Sequence, residues 1–113
     1  MTAGLPAVRL MVFLSEDDRI GHRSVAGMLL ERAREAGLAG ATIWRGIEGF
    51  GASGRVRAAR LPDLARGLPL VLEVIDDEGS ITAFLPIVHE LGAGSLVTTE
   101  VVHMSWPPAP AVG

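Results

Sequence analysis

Apolar residues alternate with a period of two near the start of the chain. Val8, Leu10, Val12 and Leu14 fall on one face of a predicted strand over Ala7 to Leu14; Arg9, Met11 and Phe13 fall on the other. Both faces are largely apolar, as in a strand covered on two sides. Ser15 to Gly21 is polar and reads as a loop. From His22 to Ala36 the period changes. Val25, Met28, Leu29, Ala33 and Ala36 recur at three- and four-residue spacing, which predicts a helix. Glu31 is spaced to pair with Arg34, and Gly37 is a good terminator. A second strand is predicted over Ala41 to Glu48, where Thr42, Ile43, Trp44 and Ile47 supply β-branched and aromatic residues. A Gly-rich stretch follows and leads into a loop ending near Gly67.

Leu68 to Asp76 is predicted as the third strand. A second helix, Asp77 to Leu91, carries the stripe Ile81, Phe84, Leu85, Val88 and Leu91. Asp77 and Glu78 suit its positive N-terminal end, and Pro86 is expected to kink or interrupt it. Gly92 and Gly94 flank a turn before a last strand over Ser95 to Trp106. The order β-α-β-β-α-β predicts an α+β, ferredoxin-like fold: a four-stranded antiparallel sheet with two helices on one face. It forms a single domain, 1–106, and Pro107, Pro108 and Pro110 make 107–113 a flexible tail. Two helices cover only one face, yet Met11, Phe13, Val71, Ile75, Val97 and Val101 suggest that both are apolar. A closed homo-oligomer that packs the open faces together is therefore expected.

The 113 residues suffice for one core, and a hydrophobic share of 49% excludes a disordered chain. Without cysteine there are no disulfides, thiolate zinc sites or cysteine nucleophiles. All ten basic residues are Arg, so lysine Schiff bases and a Walker-type lysine are excluded as well. A net charge of −3 offers no basic surface for nucleic acid. No apolar run approaches the ~20 residues of a membrane span, and the N-terminus lacks a signal-peptide pattern. The expectation is a soluble, cytoplasmic protein.

The strongest chemical feature is the segment from Gly46 to Arg57, with Gly46, Gly49, Phe50, Gly51, Ala52, Ser53 and Gly54 followed by Arg55 and Arg57, and with Arg45 just before it. Glycines let backbone amides approach phosphate oxygens, and arginines supply charge-assisted partners. The competing reading is a surface loop with solvated arginines. Ser53 does not sit in a nucleophile elbow, because residue 55 is Arg where that pattern needs Gly. His22, His89 and His103 fall on separate predicted elements without ligand spacing, which favours ordinary structural histidines over a metal site. The run Glu16, Asp17, Asp18 lacks an EF-hand pattern and reads as a solvated loop.

These residues resemble a known family. The runs Gly37 to Ile43, Arg45 to Ile47 and Gly49 to Gly51 look like the helix-to-strand turn and loop start of PII signal-transduction proteins, and Val71 to Asp77 resembles their third strand and second helix start. A closer resemblance is to the PII-like family called domain of unknown function 190. Its marks here are Glu35 to Ile43, the string from Arg45 through Ser53, and Leu68 to Val71, within a match over about Val8 to Met104. The resemblance implies a homotrimer without catalysis that binds a small effector between subunits and regulates a partner protein, a membrane transporter or channel being one candidate. It implies an adenine nucleotide (AMP, cyclic AMP, ADP or ATP) against Gly49, Phe50 and Gly51 and against a later Gly-rich turn, here Gly92, Gly94 and Ser95. Ala52 and Ser53 replace the Arg and Gln that follow GFG in PII proteins, and there is no Tyr for modification. Oxoglutarate sensing, uridylylation and tight triphosphate binding are therefore not expected. The alternatives are a metal-responsive trimer like CutA proteins and an oligomeric scaffold without ligand.

Overall fold

The computed structural model describes residues 4–105. Trp106 and the proline-rich tail lie outside the described residues. Strand β1 (Leu5–Ser15) is followed by a two-residue hairpin, β2 (Arg19–Ile20) with β3 (Arg23–Ser24), and by helix α1 (Val25–Glu35). Then come β4 (Ala41–Arg45), a second small hairpin of β5 (Glu48–Gly49) and β6 (Arg57–Ala58), and a 3-10 turn at Pro62–Leu64. Strand β7 (Pro69–Asp76), helix α2 (Glu78–Leu91) and β8 (Leu96–Met104) complete the chain. The main sheet has the order β4-β7-β1-β8 with all neighbours antiparallel. It is the ferredoxin-like sheet expected from the element order.

Period-two alternation places the core. Leu10, Val12 and Leu14 of β1 and Leu70, Leu72 and Val74 of β7 are buried with Val25, Ala26, Leu29 and Ala33 of α1 and Ile81, Phe84 and Val88 of α2. Phe84 is the largest fully buried side chain, and truncating a buried Phe to Ala typically costs about 3–5 kcal/mol. Capping sets both helix starts. Ser24 Oγ accepts from the Gly27 amide at 2.9 Å, and Asp77 Oδ1 accepts from the Ser80 amide at 2.8 Å. The backbone amide of Ser80, then its hydroxyl, hold the Asp77 carboxyl below its ordinary range.

Several expectations change. Helix α1 begins at Val25 rather than His22, because Arg23 and Ser24 are paired in the β2–β3 hairpin, which leaves His22 in its turn. Glu31 pairs with Arg23, not with Arg34. Helix α2 runs through Pro86 without a break. The carbonyl that Pro86 leaves without a helical partner belongs to Thr82, and both residues face solvent, so water can satisfy it. The second strand stops at Arg45. Gly46 donates its amide to the Pro69 carbonyl at 2.7 Å, and a Cβ there would lie 2.7 Å from Pro69 Cγ. The chain turns off the sheet at this close approach.

The open face of the sheet is not uniformly apolar. Register aligns Trp44, Val71, Phe13 and Leu96 in one cross-strand row. Trp44, Phe13 and Leu96 are 56%, 39% and 63% exposed. The next row is Thr42, Glu73, Met11 and Thr98, and beyond it Arg9 forms an ion pair with Glu100 beside Ile75. Val97 and Val101 correct the expectation: they pair with Val12 and Val8 and so lie on the helix side. One apolar row thus lies at the Ser15 end of the open face, and at the other end, past the Arg9–Glu100 pair, Ala7 with Val102 and Leu5 with Met104 share that face.

Candidate functional site

Antiparallel pairing gathers the loops at the Ser15 end of the sheet. Ser15 lies opposite Pro69, Arg45 opposite Leu70, and Leu96 opposite Phe13. Segments 16–24, 46–68 and 92–95 therefore all leave the sheet together. Between them lies a groove of about 1130 Å³, slightly above the roughly 300–1,000 Å³ of small-molecule sites.

The groove brings together most of the residues singled out in sequence. Gly49, Phe50, Gly51, Ala52, Ser53, Arg55 and Arg57 line one side, and Gly92, Gly94 and Ser95 another, although about forty residues separate the two. The β5–β6 hairpin makes this possible. Gly49 pairs with Arg57, and the Arg60 guanidinium braces the hairpin through Glu48 Oε1 at 3.1 Å. Phe50 to Val56 form its tip, where Ser53 Oγ accepts from the Arg55 amide at 3.3 Å. Opposite, α2 ends in a turn in which the Ser95 amide donates to the Gly92 carbonyl at 2.9 Å. Gly94 has a φ of +84°, a conformation that favours glycine.

Arg45, Gly46 and Gly54 do not line the groove. The Arg45 guanidinium reaches Glu16 Oε2 at 3.2 Å instead. Gly46 is spent on its approach to Pro69, and Gly54 closes the hairpin tip by donating to the Gly51 carbonyl at 2.9 Å.

Sequence reasoning missed the loop after β1. Asp17, Asp18, Arg19 and Ile20 line the groove, as does Glu90 at the end of α2. The acidic run is not a freely solvated loop. Glu16 Oε1 accepts from the Leu68 amide at 3.0 Å, and Asp18 Oδ2 accepts from the Ser15 amide at 2.8 Å. Asp17 Oδ2 lies 3.8 Å from an Arg57 guanidinium nitrogen. The only local signal was charge; the partners come from the pairing of β1 with β7. Three arginines, Arg19, Arg55 and Arg57, and three acids, Asp17, Asp18 and Glu90, line the groove, so their formal charges sum to zero. Among the described residues, no three His, Asp or Glu side chains gather into a metal-ligating group, and no helix is long and apolar enough to cross a membrane.

The groove also meets the open face. Phe13, Val71 and Leu96 belong both to its lining and to the exposed apolar row. The exposed row and the groove thus adjoin.

Comparison with known proteins fits this architecture. The family model of DUF190, described as an uncharacterized ACR, matches residues 7–104. This chain belongs to the DUF190 family. A UPF0166 protein of Aquifex aeolicus is 40% identical over 95 residues, which cover 84% of this chain and 90% of that protein. Among solved structures, one described as a PII-like signaling protein from Thermus thermophilus superposes with a TM-score of 0.67 at 20% identity, covering 92% of this chain and 93% of that one. CPII from Thiomonas intermedia, solved with ADP and bicarbonate bound, superposes with a TM-score of 0.60 at 20% identity over 88% of each chain. At these identities the two structures speak for the fold, which is that of PII-like proteins.

Proposed function

We propose that this DUF190 chain is a ligand-responsive regulatory protein of the PII-like kind. Its groove takes an adenine nucleotide of low charge, and a neighbouring copy in a closed trimer roofs it. The observation that carries this reading is the convergence of the Gly49–Ser53 backbone, Arg55, Arg57 and the Gly92–Ser95 turn on one groove that opens onto an apolar strip. Glycine-rich backbone lets amides approach a phosphate, guanidinium groups compensate its charge, and the apolar wall suits a base. The ADP held by CPII on the same fold supports the choice of ligand class.

Charge argues for the smaller nucleotides. Three arginines and three carboxylates line the groove, so a triphosphate finds little net positive potential there. AMP or cyclic AMP is expected to bind at least as well as ATP. Ligand would order the exposed hairpin tip, and the ordered tip would present a changed surface to a regulated protein. No bond need be made or broken in this role.

Calorimetric titration of AMP, cyclic AMP, ADP and ATP tests the reading. Arg55 forms no ion pair among the described residues, so its guanidinium is free for a phosphate. Loss of one charge-assisted contact is worth about 1.5–3 kcal/mol, so Arg55→Ala is expected to weaken AMP binding roughly tenfold or more. ATP binding far tighter than AMP binding, and unchanged when Arg55 and Arg57 are both replaced, contradicts the assignment.

A further inference from the structure

Three acids stand together after β1, and their carboxylates have different tasks. Glu16 is taken by the Leu68 amide and by Arg45, and Asp18 by the Ser15 amide. Asp17 alone faces a cation of the groove, Arg57. Its backbone is pinned: the Asp17 amide donates to Ser15 Oγ at 3.1 Å, and Ser15 Oγ donates to the Gly67 carbonyl at 3.2 Å. Its carboxylate sits on the bare face of Gly67, where a Cβ would collide with it, and Gly67 has a φ of +65°. The pinned backbone places Asp17 beside Arg57, and the absence of a side chain at Gly67 leaves room for its carboxylate there.

The geometry of the pair is unequal. The Arg57 side chain is only 19% exposed and Asp17 is 64% exposed. At 3.8 Å the two attract without a hydrogen bond, so the guanidinium donors of Arg57 remain available to an incoming anion. A phosphate that reached Arg57 would meet the Asp17 carboxylate beside it.

Resting on the nucleotide reading above, we infer that Asp17 is an internal competitor for Arg57 and sets the charge of the ligand that the groove accepts. An entering phosphate must displace Asp17 from Arg57 or bear its repulsion. Because the Coulomb energy scales with ligand charge, the penalty is heavier for ATP than for AMP. Asp17 is therefore a specificity-determining residue that holds the site to weakly charged ligands.

The experiment measures AMP and magnesium-free ATP binding to the wild type, Asp17→Asn, Arg57→Ala and the double variant. Asp17→Asn preserves side-chain size at an exposed position; Asp17→Ala is the second variant should the amide make new bonds. The expected result is a gain of about five- to tenfold for AMP in Asp17→Asn and a larger gain for ATP, both shrinking as salt rises. Most of the gain is expected to vanish in the Arg57→Ala background, since the competition acts through that guanidinium. If the wild type binds AMP and neither Asp17 variant binds more tightly, or the gain persists undiminished without Arg57, this inference is overturned and the nucleotide reading stands. If no variant and no wild-type sample binds AMP or ATP, both fall together.

Discussion

Glycine illustrates how one residue type serves different ends within a few positions. Gly46 and Gly51 are five residues apart in one Gly-rich run, but their surroundings differ. A Cβ at Gly46 would press on Pro69 Cγ at 2.7 Å and on the Pro69 carbonyl oxygen at 3.3 Å, whereas one at Gly51 would meet nothing within 4 Å. Gly46→Ala is therefore expected to lower stability by about 1–3 kcal/mol through overpacking at the end of β4. Gly51→Ala is expected to stay within about 0.5 kcal/mol of the wild type, as a substitution at an open position does. Urea unfolding of the two variants reads the difference. Equal midpoints for Gly46→Ala and the wild type would show that the turn off the sheet does not depend on this contact.

At the scale of elements, the regular structure was legible in sequence because burial enforces periodicity. The even-numbered positions of β1 and the stripe of α2 reappear in the core. The shifts came where local bonding competes with pattern. Arg23 and Ser24 join a hairpin instead of the helix, and Ile47 to Ala59 form a hairpin where glycine content had suggested irregular chain. The candidate site was half legible. Gly49 to Ser53, Arg55, Arg57 and Gly92 to Ser95 were marked by residue type and by family resemblance, and they line one groove. Asp17, Arg19 and Glu90 were not marked, because only strand pairing brings them there. The hairpin also divides the segment dynamically. Arg57 and Ala58 are held by β5, Ala58 is buried, and the Ala59 amide donates to the Ile47 carbonyl at 2.8 Å. Hydrogen exchange without ligand is expected to be fast from about 50 to 56 and slower at Ala59, because exchange follows local contacts. AMP is expected to slow exchange at the tip. Uniform protection from Phe50 to Ala59 in the free protein would remove the mobile tip from the proposed mechanism.

For the whole molecule, the decisive feature is that the exposed row Trp44, Val71, Phe13 and Leu96 borders the groove. Monomers rarely leave such a strip uncovered, and a closed assembly covers it without leaving a free edge. The resulting claim is that site and assembly are one structure: the groove binds ligand only when a neighbour roofs it. Trp44 separates the two contributions, because it belongs to the row but does not line the groove. Sedimentation of the wild type and Trp44→Glu with labelled AMP reads mass and bound ligand together. AMP is expected to travel with a wild-type species of three times the 11.9 kDa chain mass, while Trp44→Glu sediments as a smaller species from which AMP has separated. AMP held with undiminished affinity by a single chain would contradict the account.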